Sequence, residues 1–203
     1  MTLVLTLVSG FCWTWVYVEC VRIGLKHKTY AMPLFALALN FAWEVIHAYL
    51  DLSQSSAIEP QAVVDLCWGF ADVFIIATWL RFGARYWPER LGRTSFYLWG
   101  ALVFVVAFVL QLLFVREFGA AGGARYSAFL QNLLMSVLFI DMFFKRKAAE
   151  GQSLVIAINK WIGTLAPTLL FGYLERSLFI MVVGGFCTVF DLIYIGLLVA
   201  ARV

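Results

Sequence analysis

The sequence predicts an all-α membrane protein, a single domain over residues 1–203 built as a bundle of seven transmembrane helices. Two observations lead there. The chain is 64% hydrophobic and 13% charged, against roughly 25% charged in a soluble domain, which is more apolar surface than a water-facing fold can bury. The apolar residues also gather in runs of about 20, the length with which a helix crosses a hydrocarbon core of about 30 Å. Backbone groups in lipid must be satisfied within a segment or around a closed barrel. The runs lack the period-two alternation of barrel strands, so helices remain.

The segments follow in order. The first, 3–24, has no basic residue ahead of it and no clear small-residue cleavage site, so it reads as a retained helix and not a signal peptide. Further runs cover 29–50, 61–82, 96–115, 125–145, 153–174 and 178–200, with Pro167 the only clear breaker deep inside one. The connections are short, and no internal repeat or low-complexity tract is present.

The net charge of +3 reads as topology and not as affinity for nucleic acid. Lys and Arg gather in alternate loops: Arg22, Lys26 and Lys28; Arg81, Arg85, Arg90 and Arg93; Lys145, Arg146 and Lys147. The other loops hold Asp51 and Glu59, then Arg116, Glu117 and Arg125, then Glu175 and Arg176. The positive-inside rule places the first set in the cytoplasm. The amino terminus is then outside and Arg202 inside, across the plasma membrane if the chain is bacterial. Oligomeric state is not legible.

Cys12, Cys20, Cys67 and Cys187 lie in apolar runs without CxxC or metal-ligand spacing, which favours packing over redox or metal roles. His27 and His47 form no cluster for zinc or haem. No cofactor is implied.

A charge at a helix centre costs about 2.5–3.5 kcal/mol on insertion scales, so each one calls for a reason. Glu19 and Asp141 stand near cytoplasmic ends, where the interface or a basic partner is in reach. Lys160, about two turns inside its segment, can snorkel to the same side. Asp65 is close to the outer start of its segment. Structural or interfacial roles suit these four. Glu44, Asp72 and Asp191 are harder to set aside.

Asn40 and Glu44 share a helix face, with His47 next along it; Trp68 and Asp72 repeat the spacing of four. Cys187, Asp191 and Tyr194 lie along one stripe, and Gln111, Gln131 and Asn132 add amides in apolar stretches. Such groups also serve as interhelical glue, at about 0.6 kcal/mol each on average. Read together they outline a polar-edged cavity. An apolar surrounding favours a neutral acid over a carboxylate, and a neutral acid is a proton donor. Many of the aromatic residues suit interfacial belts, as Trp87, Tyr97 and Trp99 do. Trp13, Trp43, Trp68 and Trp161 lie deeper, where their faces attract cations.

Four stretches carry a resemblance: KHKTYAMPLFALALNFAWE at 26–44, YSAFLQNLLMSVLFIDM at 126–142, KWIGTLAPTLLFG at 160–172 and FCTVFDLIYIGLL at 186–198. In their order the chain resembles the small integral-membrane terpene cyclases of fungal indole-diterpene and meroterpenoid pathways, which also have bacterial members. The resemblance places the family's two acids on Glu44, in Asn-x-x-Trp-Glu, and on Asp191, in Phe-Asp-x-x-Tyr-x-Gly. It implies a class II-like cyclisation of a prenyl chain, usually joined to an aromatic or alkaloid core and protonated at its terminal alkene or epoxide. No diphosphate leaves, so no metal is called for; the sequence carries neither DDxxD nor Asp-x-Asp-Asp. Glu44 and Asp191 would supply the proton between them, with the donor unassigned. Asn40 would orient Glu44, while Trp43, Trp68 and Trp161, with Asp72, Gln131, Asn132 and Tyr194, would contact the substrate.

Counted at 1.5 Å per residue, Glu44 falls in the outer half of the membrane and Asp191 nearer the middle or inner half, an offset on the order of 10 Å. Opposite ends of one farnesyl-length substrate would accommodate it. The rival reading is a proton-coupled transporter with an intramembrane acid pair, although neither inverted repeats nor paired broken helices are visible. A retinal protein would need a Schiff-base lysine in the last segment, which has none.

Overall fold

The computed structural model describes residues 1–54, 60–146 and 150–201; Glu59, Lys147 and Arg202, used above for topology, lie outside them. The described residues form six α-helices and no strand. These are α1 (Thr2–Lys26), α2 (Leu34–Gln54), α3 (Pro60–Phe82), α4 (Gly92–Lys145), α5 (Leu154–Pro167) and α6 (Leu178–Ala200). Two short 3₁₀ turns, Gly83–Tyr86 and Glu89–Leu91, join α3 to α4.

The count is six helices where the sequence predicts seven, and the difference lies in α4. Its 54 residues take in both the fourth and the fifth expected segments. Gly119, with φ 71° and ψ 171°, breaks the helical path within it, in a backbone region essentially reserved for glycine. The chain then doubles back. Gln111 and Gln131, about 30 Å apart along a straight helix, are hydrogen-bonded at 2.7 Å. Gly123 lies against the backbone of Phe114 and Val115.

Proline moves one other expected boundary and changes the helix type within the segment expected at 153–174, which the structure spans as Leu154–Leu174. Segment two begins at Leu34 and not at 29, since Pro33 biases the residue before it away from helix. It contributes its carbonyl to Leu37 N–H as the first bond of α2. At the other end of the bundle, α5 gives way after Pro167 to a π-helical turn, Thr168–Leu174. Pro167 has no N–H for the carbonyl of Gly163. The Ser9 hydroxyl of α1 donates to that carbonyl instead, at 2.7 Å.

The burial pattern inverts that of a soluble protein. Phe11, Phe70, Leu98, Phe144 and Leu178 are exposed, while Asn40, Glu44, Asp72, Lys160 and Asp191 are buried. Outer faces this apolar suit lipid. Among the described residues, five helical stretches are long and apolar enough to cross a membrane. α2 is not among them, because Asn40, Glu44, His47 and Asp51 offset its apolar residues. The central core joins Val16, Tyr17 and Cys20 of α1 to Ile75, Phe139 and Tyr194 of the other helices.

A β-carbon at Gly123 would meet Val115 Cα at 2.8 Å, whereas one at Gly185 would meet nothing within 4 Å. Gly123→Leu should therefore lower stability by about 1–3 kcal/mol. Gly185→Ala should stay within about 0.5 kcal/mol of the parent. Thermal unfolding in detergent compares the two, and equal melting temperatures would refute the close approach of the α4 arms.

Candidate active site

Three helices converge on the acid of α2. Asn40 and Glu44, one turn apart, are both buried. Tyr17 of α1 reaches them: its hydroxyl donates to Glu44 Oε1 at 2.7 Å and accepts a hydrogen bond from the Asn40 amide nitrogen. That nitrogen gives its other hydrogen to Asp72 Oδ2 of α3, at 3.0 Å. Trp68, one turn before Asp72, stacks on the Tyr17 ring with centroids 5.5 Å apart and donates its indole N–H to Thr14 Oγ1 at 3.0 Å.

Two carboxyl groups thus join one network, Asp72 through the Asn40 amide and Glu44 through the Tyr17 hydroxyl that this amide also holds. Glu44 Oε2 and Asp72 Oδ1 are buried and make no hydrogen bond among the described residues. No cation there pairs with either acid.

Asp191 on α6 stands in the opposite setting. Lys160 of α5 donates to both of its oxygens, at 2.8 and 3.0 Å, and to Ser136 Oγ of α4 at 2.6 Å. The two charged side chains are 0% and 2% exposed. This corrects the expectation that Lys160 snorkels to the interface. Its three N–H donors find three acceptors inside the bundle, so the stem has no reason to extend outward.

The other charged groups set aside are partnered locally. Glu19 accepts from Arg22 at 2.6 and 2.7 Å and from Ser153 at 3.1 Å, and Asp141 pairs with Lys145 at 2.7 Å. Asp65 accepts from Gln61 at 2.6 Å and is more deeply buried than its place near a helix start suggests.

The remaining candidates divide. Trp43 donates to the Ala124 carbonyl at 3.0 Å, and Gln131 accepts from Gln111, which also reaches the Leu39 carbonyl at 3.3 Å. These side chains fasten α2 to the two arms of α4. Asn132 Oδ1, Trp161 Nε1 and Tyr194 Oη are buried without a partner among the described residues. Glu44, Asn40, Asp72 and Trp68 are therefore brought together, and Asp191 belongs to a second cluster with Lys160 and Ser136. Tyr17 and Ser136 were not anticipated as members. Tyr17 does stand four residues after Trp13 and three before Cys20, a helical stripe that was the available signal.

The model of the Pyr4-like transmembrane terpene cyclases matches residues 1–202. The chain belongs to that family. It is 27% identical over 170 residues to a Pyr4-family terpene cyclase of Annulohypoxylon moriforme, covering 82% of this chain and 68% of the relative. It is 24% identical to a terpene cyclase of Aspergillus fumigatus, covering 78% and 65%. A terpene cyclase of Acremonium egyptiacum is 28% identical, covering 77% and 62%. The chain spans about two thirds of the length of these relatives. No solved structure matches it. Family and apolar helices together make it an integral membrane protein.

Breaking a buried ion pair leaves one charge uncompensated and costs about 3–5 kcal/mol, whereas replacing both partners is often neutral. Lys160→Met should be destabilised by that amount, and Lys160→Met/Asp191→Asn should recover most of it. A double-mutant cycle of melting temperatures in detergent measures the coupling, and simple additivity would show that the two side chains do not pair.

Proposed function

We propose that the chain is a membrane-bound terpene cyclase of the class II-like, metal-independent kind. Its substrate is a prenyl chain of farnesyl length on an aromatic or alkaloid core, and the reaction is a proton-initiated isomerisation. The observation that carries this reading is the buried Glu44 cluster. Two carboxyl groups are linked there through Tyr17 and Asn40, and among the described residues each keeps one oxygen without a partner and neither is paired with a cation. Apolar surroundings hold such a cluster most cheaply with acid protons in place. Membership of a terpene-cyclase family favours this chemistry over a proton-coupled transporter.

Tyr17, itself held by the Asn40 amide, fixes Glu44 through Oε1 and leaves Oε2 for the proton to be given. The Oε2–H bond breaks as a bond from hydrogen to the terminal alkene carbon, or to the epoxide oxygen, forms. The double bonds along the chain then close rings onto the cation. Trp68 and Tyr17 present stacked π faces beside the acid, and such faces attract positive charge. Trp161, Asn132 and Tyr194 carry the open polar atoms that would meet other parts of the substrate.

In the same reading each arm of α4 crosses the bilayer, giving seven passes with the amino terminus outside and the carboxyl terminus in the cytoplasm. Cys67 is the one exposed cysteine, so Cys67→Ala provides the background for thiol mapping. Lys28→Cys and Arg90→Cys should react with an impermeant reagent only after lysis, and Arg116→Cys and Arg176→Cys in intact cells. The reverse pattern would overturn the orientation.

Membranes carrying the parent chain should convert a farnesylated aromatic or its terminal epoxide into isomeric ring products, read by mass spectrometry and NMR. Glu44→Gln should lower the rate by about 10²–10⁴-fold, the usual worth of a positioned general acid. Tyr17→Phe should lower it by about tenfold through loss of one hydrogen bond. Turnover that survives Glu44→Gln at equal protein level would remove Glu44 from the role.

A further inference from the structure

We propose that Lys160 is a positioning residue that holds Asp191 as a carboxylate, so that the two buried acids divide the work: Glu44 gives the first proton and Asp191 takes the last one. This rests on the cyclase reading above for its chemistry, but its electrostatic half stands on geometry alone.

The two acids have opposite surroundings. Among the described residues Glu44 is bonded only to a phenol, and its neighbour Asp72 only to an amide. Asp191 receives two N–H donors from an ammonium group that is itself fully buried. An ammonium in an apolar interior needs a counter-anion, because an unpaired buried charge is far costlier than a paired one. Lys160 donates all three of its hydrogens, two to Asp191 and one to Ser136. Ser136 is neutral, so the counter-charge falls on Asp191. Cys187 and Tyr194, which flank Asp191 along α6, supply no second cation.

The two clusters also border one apolar core. Tyr17, hydrogen-bonded to Glu44, and Tyr194, one turn from Asp191, belong to the same core of side chains. A cation generated beside Glu44 and carried along a prenyl chain in that core would move toward a fixed anion. At the end of the cascade, a C–H bond next to the cationic carbon gives its electron pair to form an alkene and its proton to an Asp191 oxygen. Exchange with water returns a proton to Glu44 and removes one from Asp191. The sum is an isomerisation that consumes no oxidant or reductant. Lys160 touches no reacting atom in this scheme and acts only through Asp191.

Infrared spectra of the purified protein in light and heavy water test the charge state without any substrate. The parent chain should show an isotope-sensitive C=O stretch of protonated carboxyl groups that weakens in Glu44→Gln. The same band should be unchanged in Lys160→Met/Asp191→Asn, the variant that removes the pair without stranding a charge. Loss of C=O intensity in that double variant would show that Asp191 is protonated in the parent and overturn the proposal. Lys160→Arg should leave the band as in the parent.

A second arm reads the division of labour. Substrate consumption should fall by about 10²–10⁴-fold in Glu44→Gln. In Lys160→Met/Asp191→Asn it should fall less than in Glu44→Gln, with the product shifted to hydrated or differently placed alkene isomers, and Lys160→Arg should keep the parent product. A double variant that consumes no substrate would refute the role of Asp191 as acceptor. Absence of turnover by the parent itself would count against the cyclase reading, and the infrared arm would still decide the charge on Asp191.

Discussion

A bundle in lipid must satisfy its interior polar groups from its own side chains, and at Tyr17 three helices do so through one hydroxyl. That hydroxyl accepts from Asn40 and donates to Glu44, and Asn40 extends the link to Asp72. The first three helices are tied by this network. The last three are tied by another, in which Lys160 joins Asp191 to Ser136. Each half of the bundle is thus pinned at a buried acid. The halves are stitched to each other by further bonds: Trp43 and Gln111 between α2 and α4, and Ser9 and the Glu19–Ser153 bond between α1 and α5. Networks that contain a buried acid set the position of helices inside each half, and separate bonds close the seam.

The backbone obeys the same constraint. Irregular backbone survives at membrane depth only where something re-satisfies the freed groups. Pro167 strands the carbonyl of Gly163, and a hydroxyl from the neighbouring helix takes it up. Gly119 breaks α4 where the sequence turns polar and small, between Glu117 and Gly122. Its glycine conformation lets the two arms run side by side, and that pairing brings Gln111 within reach of Gln131. Without the reversal two buried amides would face hydrocarbon.

Much of this is written in the sequence at the scale of a helix and little of it at the scale of a contact. Runs of apolar residues mark the segments because lipid requires them. Pro33 and Gly119 shift or merge them for reasons of backbone geometry that a hydropathy run does not register. Glu44 and Asp72 announce themselves because a carboxyl group in an apolar run is costly, and Asn40 follows from the spacing of four. Tyr17 does not, because tyrosine in an apolar helix is ordinarily an interfacial residue. Lys160 misleads for a related reason. A long side chain about two turns from a helix end can reach water, and only the packing of α5 on α6 reveals an acceptor that is nearer.

The distinction between glue and site turns on which polar atoms are left open. A residue kept only to fasten helices should spend its hydrogen-bonding groups on the fastening, since a buried unsatisfied group costs about 1–3 kcal/mol. Trp43 and Trp68 meet that standard, with their indole N–H groups fully used. Glu44, Asp72, Asn132, Trp161 and Tyr194 do not: each keeps a buried polar atom without a partner among the described residues. Gln111 and His47 do the same, so an open atom alone does not mark a site. What singles out Glu44 is the combination. Its Oε1 is held by Tyr17, its Oε2 is open, and the group sharing its network is a second acid and not a cation. Glue would gain stability from a lysine at that point, as Asp191 has with Lys160. Asp191 is supplied with its counter-charge and Glu44 has none among the described residues, the contrast on which the proposed division between a base and an acid rests.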